Sequence, residues 1–422
     1  MMFPKCVVIV GGSVSGLLQG LLLKRNGVNV IVLEQDPSND RRNHESGVAI
    51  GPSVTALLEK YDATGRPAAI PTGFISFAWR KRLRIFNKVW PHHMSNWGCL
   101  YLILRANFDG MKSEAVPNPP GPKDGDGKAE YWPGKRVTGL DYDRERGIVT
   151  THFIDVSTGE SGSLSAEMVI GADGVRSTVR KILQTPTKVD YAGYIAWRGT
   201  VPESQVSEAT VDYFSNRVYF SITKGSYFVN YIIPTESGHV DPGRRLINWV
   251  WYYPIDDTSD ECRAIFTDIH GKLHNTTVSQ GLVNPDVWAR HLSRTVSQMT
   301  GPIAEVVSKT AKPFVTKVGQ TDSSLASFHD GHVILVGDAF TTFTTHLAMA
   351  SEHAARHCWQ MEKVWRGEIT LEERDQDALF YARKFLLLNR LVGLIGLGWV
   401  WTALNTIRAY VVLMIKHYLG FA

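Results

Sequence analysis

The sequence predicts an α/β protein that opens on a β-α-β unit of the dinucleotide-binding kind, and three observations predict it. Cys6 to Val10 is a continuous apolar run rich in β-branched residues. A glycine-rich turn, Gly11-Gly12-Ser13-Val14-Ser15-Gly16, leads into the helical stretch Leu17 to Asn26. A second apolar run, Val28 to Leu33, ends on Glu34. Uninterrupted apolar strands of this length are those of a parallel sheet buried on both faces.

The glycines have a physical reason. The turn must be tight, must let a pyrophosphate reach the backbone, and must let the helix pack on the strand. Ser13 stands where the fingerprint has its middle glycine, and a small side chain is accommodated there. Amides at the helix start hold phosphate. Glu34, at the end of the second strand, is placed to accept hydrogen bonds from ribose hydroxyls. A carboxylate there disfavours a 2′-phosphate, so the bound dinucleotide is FAD or NAD rather than NADP.

Composition narrows the class further. The chain has 422 residues, enough for one large or two medium domains, with 44% hydrophobic and 20% charged residues. Lys+Arg 45 against Asp+Glu 41 gives a net charge of +4, too small and too dispersed to indicate nucleic acid. Cys6, Cys99, Cys262 and Cys358 form no metal-ligand spacing and no disulfide framework. They read as reduced thiols of a cytoplasmic protein. The apolar N-terminus is divided by the glycine turn, the organisation of strand, turn and helix rather than of a secretory signal.

Two later segments repeat the pattern of an apolar strand running into a Gly/Asp turn. They are Met168-Val-Ile-Gly-Ala-Asp173-Gly174-Val-Arg176-Ser177 and Val333-Ile-Leu-Val-Gly337-Asp338-Ala339. Both closely resemble the DG and GD motifs of the flavin-dependent aromatic hydroxylases, the single-component FAD monooxygenases that include para-hydroxybenzoate and salicylate hydroxylases. Ser46-Gly47-Val48-Ala49-Ile50-Gly51 resembles the family's GxGI loop, with Ser46 where arginine often stands, and Asp322 ahead of the GD strand also fits. Trp97 occupies the position of a family arginine that touches FAD. Arg105, two helical turns on, is a candidate for that contact.

The resemblance implies a Rossmann-like FAD-binding domain of the para-hydroxybenzoate hydroxylase type, interleaved with a sheet-rich substrate domain and followed by C-terminal helices. The FAD domain is expected at 1–72, 98–185 and 320–370, the substrate domain at 73–97 and 186–319, and the helices at 371–422. Alternating aromatic runs such as Phe228-Val-Asn-Tyr231-Ile-Ile read as half-buried strands, and Val116 to Gly127 as a surface loop. In that family the GD aspartate contacts the ribityl chain and the DG segment lies where FAD and NAD(P)H must both be reached. Those roles fall to Asp338 and to Asp173 with Arg176, and Asp173 also reads as a helix N-cap. The cofactor set implied is Gly11, Gly12, Ser13, Ser15, Gly16, Glu34, Gln35, Gly47, Arg105, Val137, Asp173, Gly337, Asp338, Ala348, Met349 and Ala350.

Tyr191 to Gly199 and Leu246 to Tyr252 look like substrate-domain strands of the 2,6-dihydroxypyridine hydroxylase group, as does Ser95 through Trp97 and Tyr101 to Arg105. That group carries Arg-Pro-His after the GD motif, and this chain has Thr344-Thr345-His346. Histidine is kept while arginine and proline are lost, so a pyridinediol substrate does not carry over. The resemblance extends to about residue 370.

The family implies hydroxylation of an electron-rich aromatic, heteroaromatic or polycyclic substrate: NAD(P)H reduces FAD, O2 adds at the flavin C4a, and the hydroperoxide gives its distal oxygen to the ring. A histidine near its ordinary pKa suits removal of a phenolic proton, and His346 is the candidate, with a structural loop histidine as the alternative. Arg198 reads as an anchor for an anionic substrate or the flavin, or as a surface ion pair. Epoxidation, Baeyer-Villiger insertion or dearomatisation in natural-product biosynthesis stays open, as does a flavin-binding scaffold without turnover. Leu391 to Ile407 is uncharged and bounded by Arg390 and Arg408, with a second apolar stretch from Tyr410 to Ile415. It reads as a helix pair packed on a monomer or forming a dimer contact, with attachment to a membrane surface as the alternative.

Overall fold

Three strands far apart in sequence lie side by side in one sheet. In the computed structural model, which describes residues 2–39, 46–79, 87–89 and 92–420, Cys6–Val10 pairs in parallel with Asn29–Leu33 on one side and Met168–Gly171 on the other. Met168–Gly171 pairs in parallel with Val333–Leu335, and Ala129–Trp132 and Ser327–Phe328 close the two edges. The expected substrate segment 73–97 includes residues 80–86, 90 and 91, which lie outside the described residues.

Val7, Val8 and Ile9 are fully buried, as strands covered on both faces must be. One face carries the helix Val14–Arg25, flanked by the helices Trp97–Asp109 and Ala350–Trp365. The other carries the meander Lys135–Asp143, Ile148–Asp155 and Ser161–Ala166. The first helix begins at Val14, three residues before the expected Leu17. Gly16 can sit inside its first turn because a Cβ there would lie 2.0 Å from the Gly11 carbonyl oxygen.

A second, eight-stranded sheet is built from Phe74–Trp79, Asn87–Val89, Thr187–Pro202, Arg217–Ile222, Tyr227–Ile233, Leu246–Pro254, Thr277–Val278 and Phe314–Ser323. Side chains alternate between its faces. Trp197, Phe228, Trp249 and Trp251 pack beneath short helices. Tyr194, Tyr227, Tyr231 and Tyr252 face the opposite way, toward Ala49 and Ala348 of the first domain. A register shift between Tyr191 and Ile195, with Gly193 at φ +85°, bends the long strand just before Tyr194.

After the helix Ala350–Trp365, a capping box at Thr370 and Glu373 starts the helix Leu371–Leu397. Gly398 at φ +77° ends it, and the helix Val400–Tyr418 folds back so that His417 stacks on Phe380 at 3.6 Å between ring centres. Among the described residues no helix is long and apolar enough to cross a membrane.

Candidate functional site

The first half of the site is the groove at the ends of the parallel strands, about 360 Å³ in volume. Gly11, Ser13, Glu34, Gln35, Val137, Asp173, Gly174 and Arg176 line it. Gly11 turns there at φ +105°, and a Cβ on it would lie 2.5 Å from the Ala172 carbonyl oxygen, so the DG strand holds the turn closed. Glu34 is buried, and its two carboxylate oxygens accept the amides of Gly12 and Asp36 at 2.8 and 2.9 Å.

Asp173 is held by its own helix, accepting the amides of Thr178 and Val179 at 2.6 and 3.1 Å and the Ser177 hydroxyl. Burial raises its pKa, and these bonds oppose that rise. The helix-capping alternative therefore describes its contacts, while its position in the groove wall keeps it beside the dinucleotide path. Arg180 donates to the Ala339 carbonyl at 2.8 Å and to that of Val175 at 2.6 Å, tying the DG segment to the GD turn.

In the GD turn Gly337 sits at φ +55° with the Ser15 hydroxyl 2.5 Å from where a Cβ would be. Ser15 Oγ is buried without a hydrogen-bond partner, and the Asp338 carboxylate accepts no hydrogen bond among the described residues. Burial pushes the Asp338 carboxyl up to about 6, against the pull of Arg180. An orphaned hydroxyl at the start of the first helix and an unpartnered carboxylate beyond it suit a pyrophosphate followed by a polyol chain. The residues present therefore fit FAD.

Arg105 stands apart from this path. It is buried with its guanidinium 3.5 Å above the Tyr131 ring, paired to Asp109 at 2.8 Å and donating to the Asn39 carbonyl at 2.8 Å and the Tyr101 hydroxyl at 2.6 Å. A bond to FAD would require it to release one of these partners. Trp97 stacks on Tyr101 at 5.2 Å.

The second half of the site is the tyrosine-lined face of the large sheet. Gly47 reaches it by donating its amide to Asn248 Oδ1 at 3.0 Å, with no room for a side chain beside Tyr231. Ala348, at φ +52°, and Met349 bring the chain from the GD turn along this face to the helix that begins at Ala350. A non-glycine residue in the left-handed region is uncommon and marks a backbone held by its surroundings.

His346 is 2% exposed, with Nε2 bonded to the Tyr194 hydroxyl at 2.5 Å and Nδ1 to the Tyr227 hydroxyl. Tyr252 meets its ring edge-on at 4.4 Å, and Gly393 lies so close that a Cβ would approach Nε2 to 2.4 Å. Burial, with Arg198 nearby, pushes the imidazole down to about 3. The expectation of a histidine near its ordinary pKa is thereby corrected: the ring is enclosed by aromatic side chains and stays neutral. Arg198 is only partly buried. Its Nη2 donates to the Thr345 hydroxyl at 3.2 Å, its Nε is unpartnered, and no carboxylate pairs with it among the described residues. Among the described residues no carboxylate supports the surface ion-pair reading of Arg198.

Sequence reasoning missed Tyr227 and Tyr252 as neighbours of His346. The period-two pattern puts them on the outer face of their strands, but does not say that the GD loop crosses that face.

Comparison with known proteins agrees with this architecture. A family model described as "FAD binding domain-like" matches residues 191–320. The chain is 27% identical to 2,6-dihydroxypyridine 3-monooxygenase of Paenarthrobacter nicotinovorans over 85% of its own length and 82% of the relative's. The solved 2,6-dihydroxypyridine-3-hydroxylase from Arthrobacter nicotinovorans superposes with a TM-score of 0.76 at 24% identity, covering 94% of each chain. With these matches the chain is similar to the flavin-dependent aromatic hydroxylases, and it is an FAD-dependent monooxygenase. A shorter match, 31% identical over 47% of this chain and 48% of the relative, is 6-hydroxynicotinate 3-monooxygenase of Pseudomonas fluorescens. HpxO of Klebsiella pneumoniae complexed with FAD and uric acid shares the fold, with a TM-score of 0.69 at 17% identity over 99% and 95% of the chains.

Proposed function

We propose that this enzyme hydroxylates a small electron-rich aromatic or heteroaromatic ring that carries an acidic hydroxyl, with NAD(P)H as electron donor and O2 as co-substrate. The observation that carries the reading is Arg198, a partly buried guanidinium without a carboxylate partner among the described residues, on the tyrosine-lined sheet face beside Thr345 and His346. A cation in such a place suits an oxyanion or a polarised ring hydroxyl. The two curated relatives, named for dihydroxypyridine and hydroxynicotinate, support a hydroxylated ring as the class.

Bound FAD, once reduced by NAD(P)H, supplies O2 activation and the transfer of one oxygen atom to the ring. Arg198 holds the substrate oxygen and favours its ionised form, which makes the ring a better nucleophile. Thr345, bonded to both Arg198 and the Tyr252 hydroxyl, fixes the guanidinium. His346 stays neutral and acts through its tyrosines. One ring nitrogen accepts a hydrogen bond from one tyrosine hydroxyl while the other donates to the second, which fixes the orientation of Tyr194 and Tyr227 beside Arg198. The glycines of the helix Leu371–Leu397 close over this group, Gly393 on His346 and Gly396 on Tyr227, and exclude water from it.

The test is a screen of phenols and hydroxypyridines for stimulated NAD(P)H oxidation by the FAD-loaded enzyme, with 18O2 label read in the product by mass spectrometry. Arg198→Met is expected to raise KM for the productive ring about 10-fold or more, the loss of one hydrogen bond to a charged group. Flavin reduction without a labelled product from any ring of this class, or an unchanged KM in Arg198→Met, overturns the reading.

A further inference from the structure

The last helix, Val400–Tyr418, is attached along one narrow stripe, in which only Ala403 and Thr406 are buried. A neighbouring stripe is apolar and exposed. Val400, Trp401, Leu404, Ile407, Val411 and Ile415 recur at helical spacing, with Trp401 82% and Ile415 52% exposed. Contiguous exposed apolar surface of this kind marks an interaction site.

Charge identifies the partner. No acidic residue occurs from 391 to 420. Arg408 and Lys416 lie on the same helix and Arg383 and Arg390 on the preceding one. None of the four makes an ion pair or a side-chain hydrogen bond among the described residues, although Arg383 lies near enough to Asp322 to act on its carboxyl. Arg383, Arg390 and Lys416 line a groove of about 400 Å³ between the two helices and the long strands, beside Leu386 and Leu413. Asp322 and Asp190 also line it, and Asp190 is paired with Lys188 at 3.0 Å. A second copy of this chain would be a poor occupant, because a twofold contact sets the same helix against itself and would bring Arg408 toward its twin with no carboxylate on the helix Val400–Tyr418.

We propose that this helix lies in the plane of a membrane surface, its apolar stripe among the acyl chains and Arg383, Arg390, Arg408 and Lys416 at anionic headgroups. The helix rests on the surface and does not cross it.

The holoenzyme is sedimented with phosphatidylcholine vesicles and with vesicles containing 30 mol% phosphatidylserine in 0.1 M salt. It is expected to pellet with the anionic vesicles alone and to be released by 0.5 M salt. Trp401→Glu is expected to abolish pelleting while FAD content and turnover stay unchanged. Arg390→Gln/Arg408→Gln/Lys416→Gln should lower the partition coefficient roughly 100-fold, about fivefold for each charge near an anionic leaflet. Three outcomes overturn the proposal: no vesicle binding, equal binding to neutral vesicles, or a concentration-dependent dimer that Trp401→Glu dissolves in a protein that ignores vesicles.

Discussion

The Gly337 amide donates to Nδ1 of His357 at 3.1 Å, which ties the turn that presents Asp338 to the middle of the helix Ala350–Trp365. His357 is fully buried, and its ring must be neutral at Nδ1 to accept this bond. Burial first, then His353, Arg374 and Arg356, hold its pKa well below the ordinary value. Gly337 is at φ +55°, so the bond holds a backbone position in the left-handed region that favours glycine.

This makes His357 a positioning residue for the cofactor, and the geometry tells the variants apart. Asparagine can place Oδ1 near the position of Nδ1, whereas leucine offers no acceptor. FAD dissociation constants from flavin fluorescence are expected to rise about 10-fold or more in His357→Leu and to stay within about threefold in His357→Asn. Equal weakening in both variants would make the residue mere filling.

Asp338→Ala and Glu34→Ala each remove a carboxylate from the expected ribityl and ribose contacts. Hydrogen bonds to a charged group contribute roughly 1.5 to 3 kcal/mol, so each variant should bind FAD about 10- to 100-fold more weakly. Glu34→Ala also leaves the Gly12 and Asp36 amides without their acceptor and is expected to lower thermal stability. Undiminished flavin occupancy of Asp338→Ala at low FAD would remove the GD turn from the site.

His346→Gln should keep FAD, since among the described residues the ring bonds to Tyr194 and Tyr227 alone. Coupled hydroxylation is expected to slow by about 10-fold or more through loss of the bonds that orient Tyr194 and Tyr227. With the imidazole down at about 3 in the wild type, the pH–rate profile between 5 and 8 should carry no limb that vanishes in the variant. Such a limb, seen in the wild type alone, would show that His346 titrates there.

Acid should unfold this protein early. Burial pushes His346 and His353 down to about 3 and His291 to about 4, while the unfolded rings titrate near 6.5. Stability fully present above 6.5 is therefore lost as pH falls toward the folded values, at about 1.4 kcal/mol per ring and pH unit. Asp338, raised to about 6, works in the opposite sense below that pH. For these four groups alone the change at pH 5 is a loss of about 5 kcal/mol, comparable with the whole stability of many domains. Scanning calorimetry at saturating FAD is expected to show Tm at least ~5 °C lower at pH 5 than at pH 7.5. An unchanged Tm would mean that these rings are not held neutral.

The sequence by itself determined the cofactor half. Cys6–Val10, Met168–Gly171 and Val333–Leu335 are each an apolar strand leading to a turn whose glycine or aspartate is required locally. Such short-range requirements are legible without knowing what lies next to them. Gly11, Glu34 and Asp173 line one groove, and Gly337 lies against Ser15.

Only the tertiary structure decided the rest. Tyr194 and Tyr227 reach His346 across 152 and 119 residues of chain, and the strand pattern gives their face without their neighbours. His357 reads as one more buried helix residue until Gly337 is beside it, and Arg105 reads as a free cation until Asp109 and Tyr101 enclose it. The protonation and orientation of these groups depend on desolvation and on partners brought together by sheet order, and neither is encoded in any single stretch of chain.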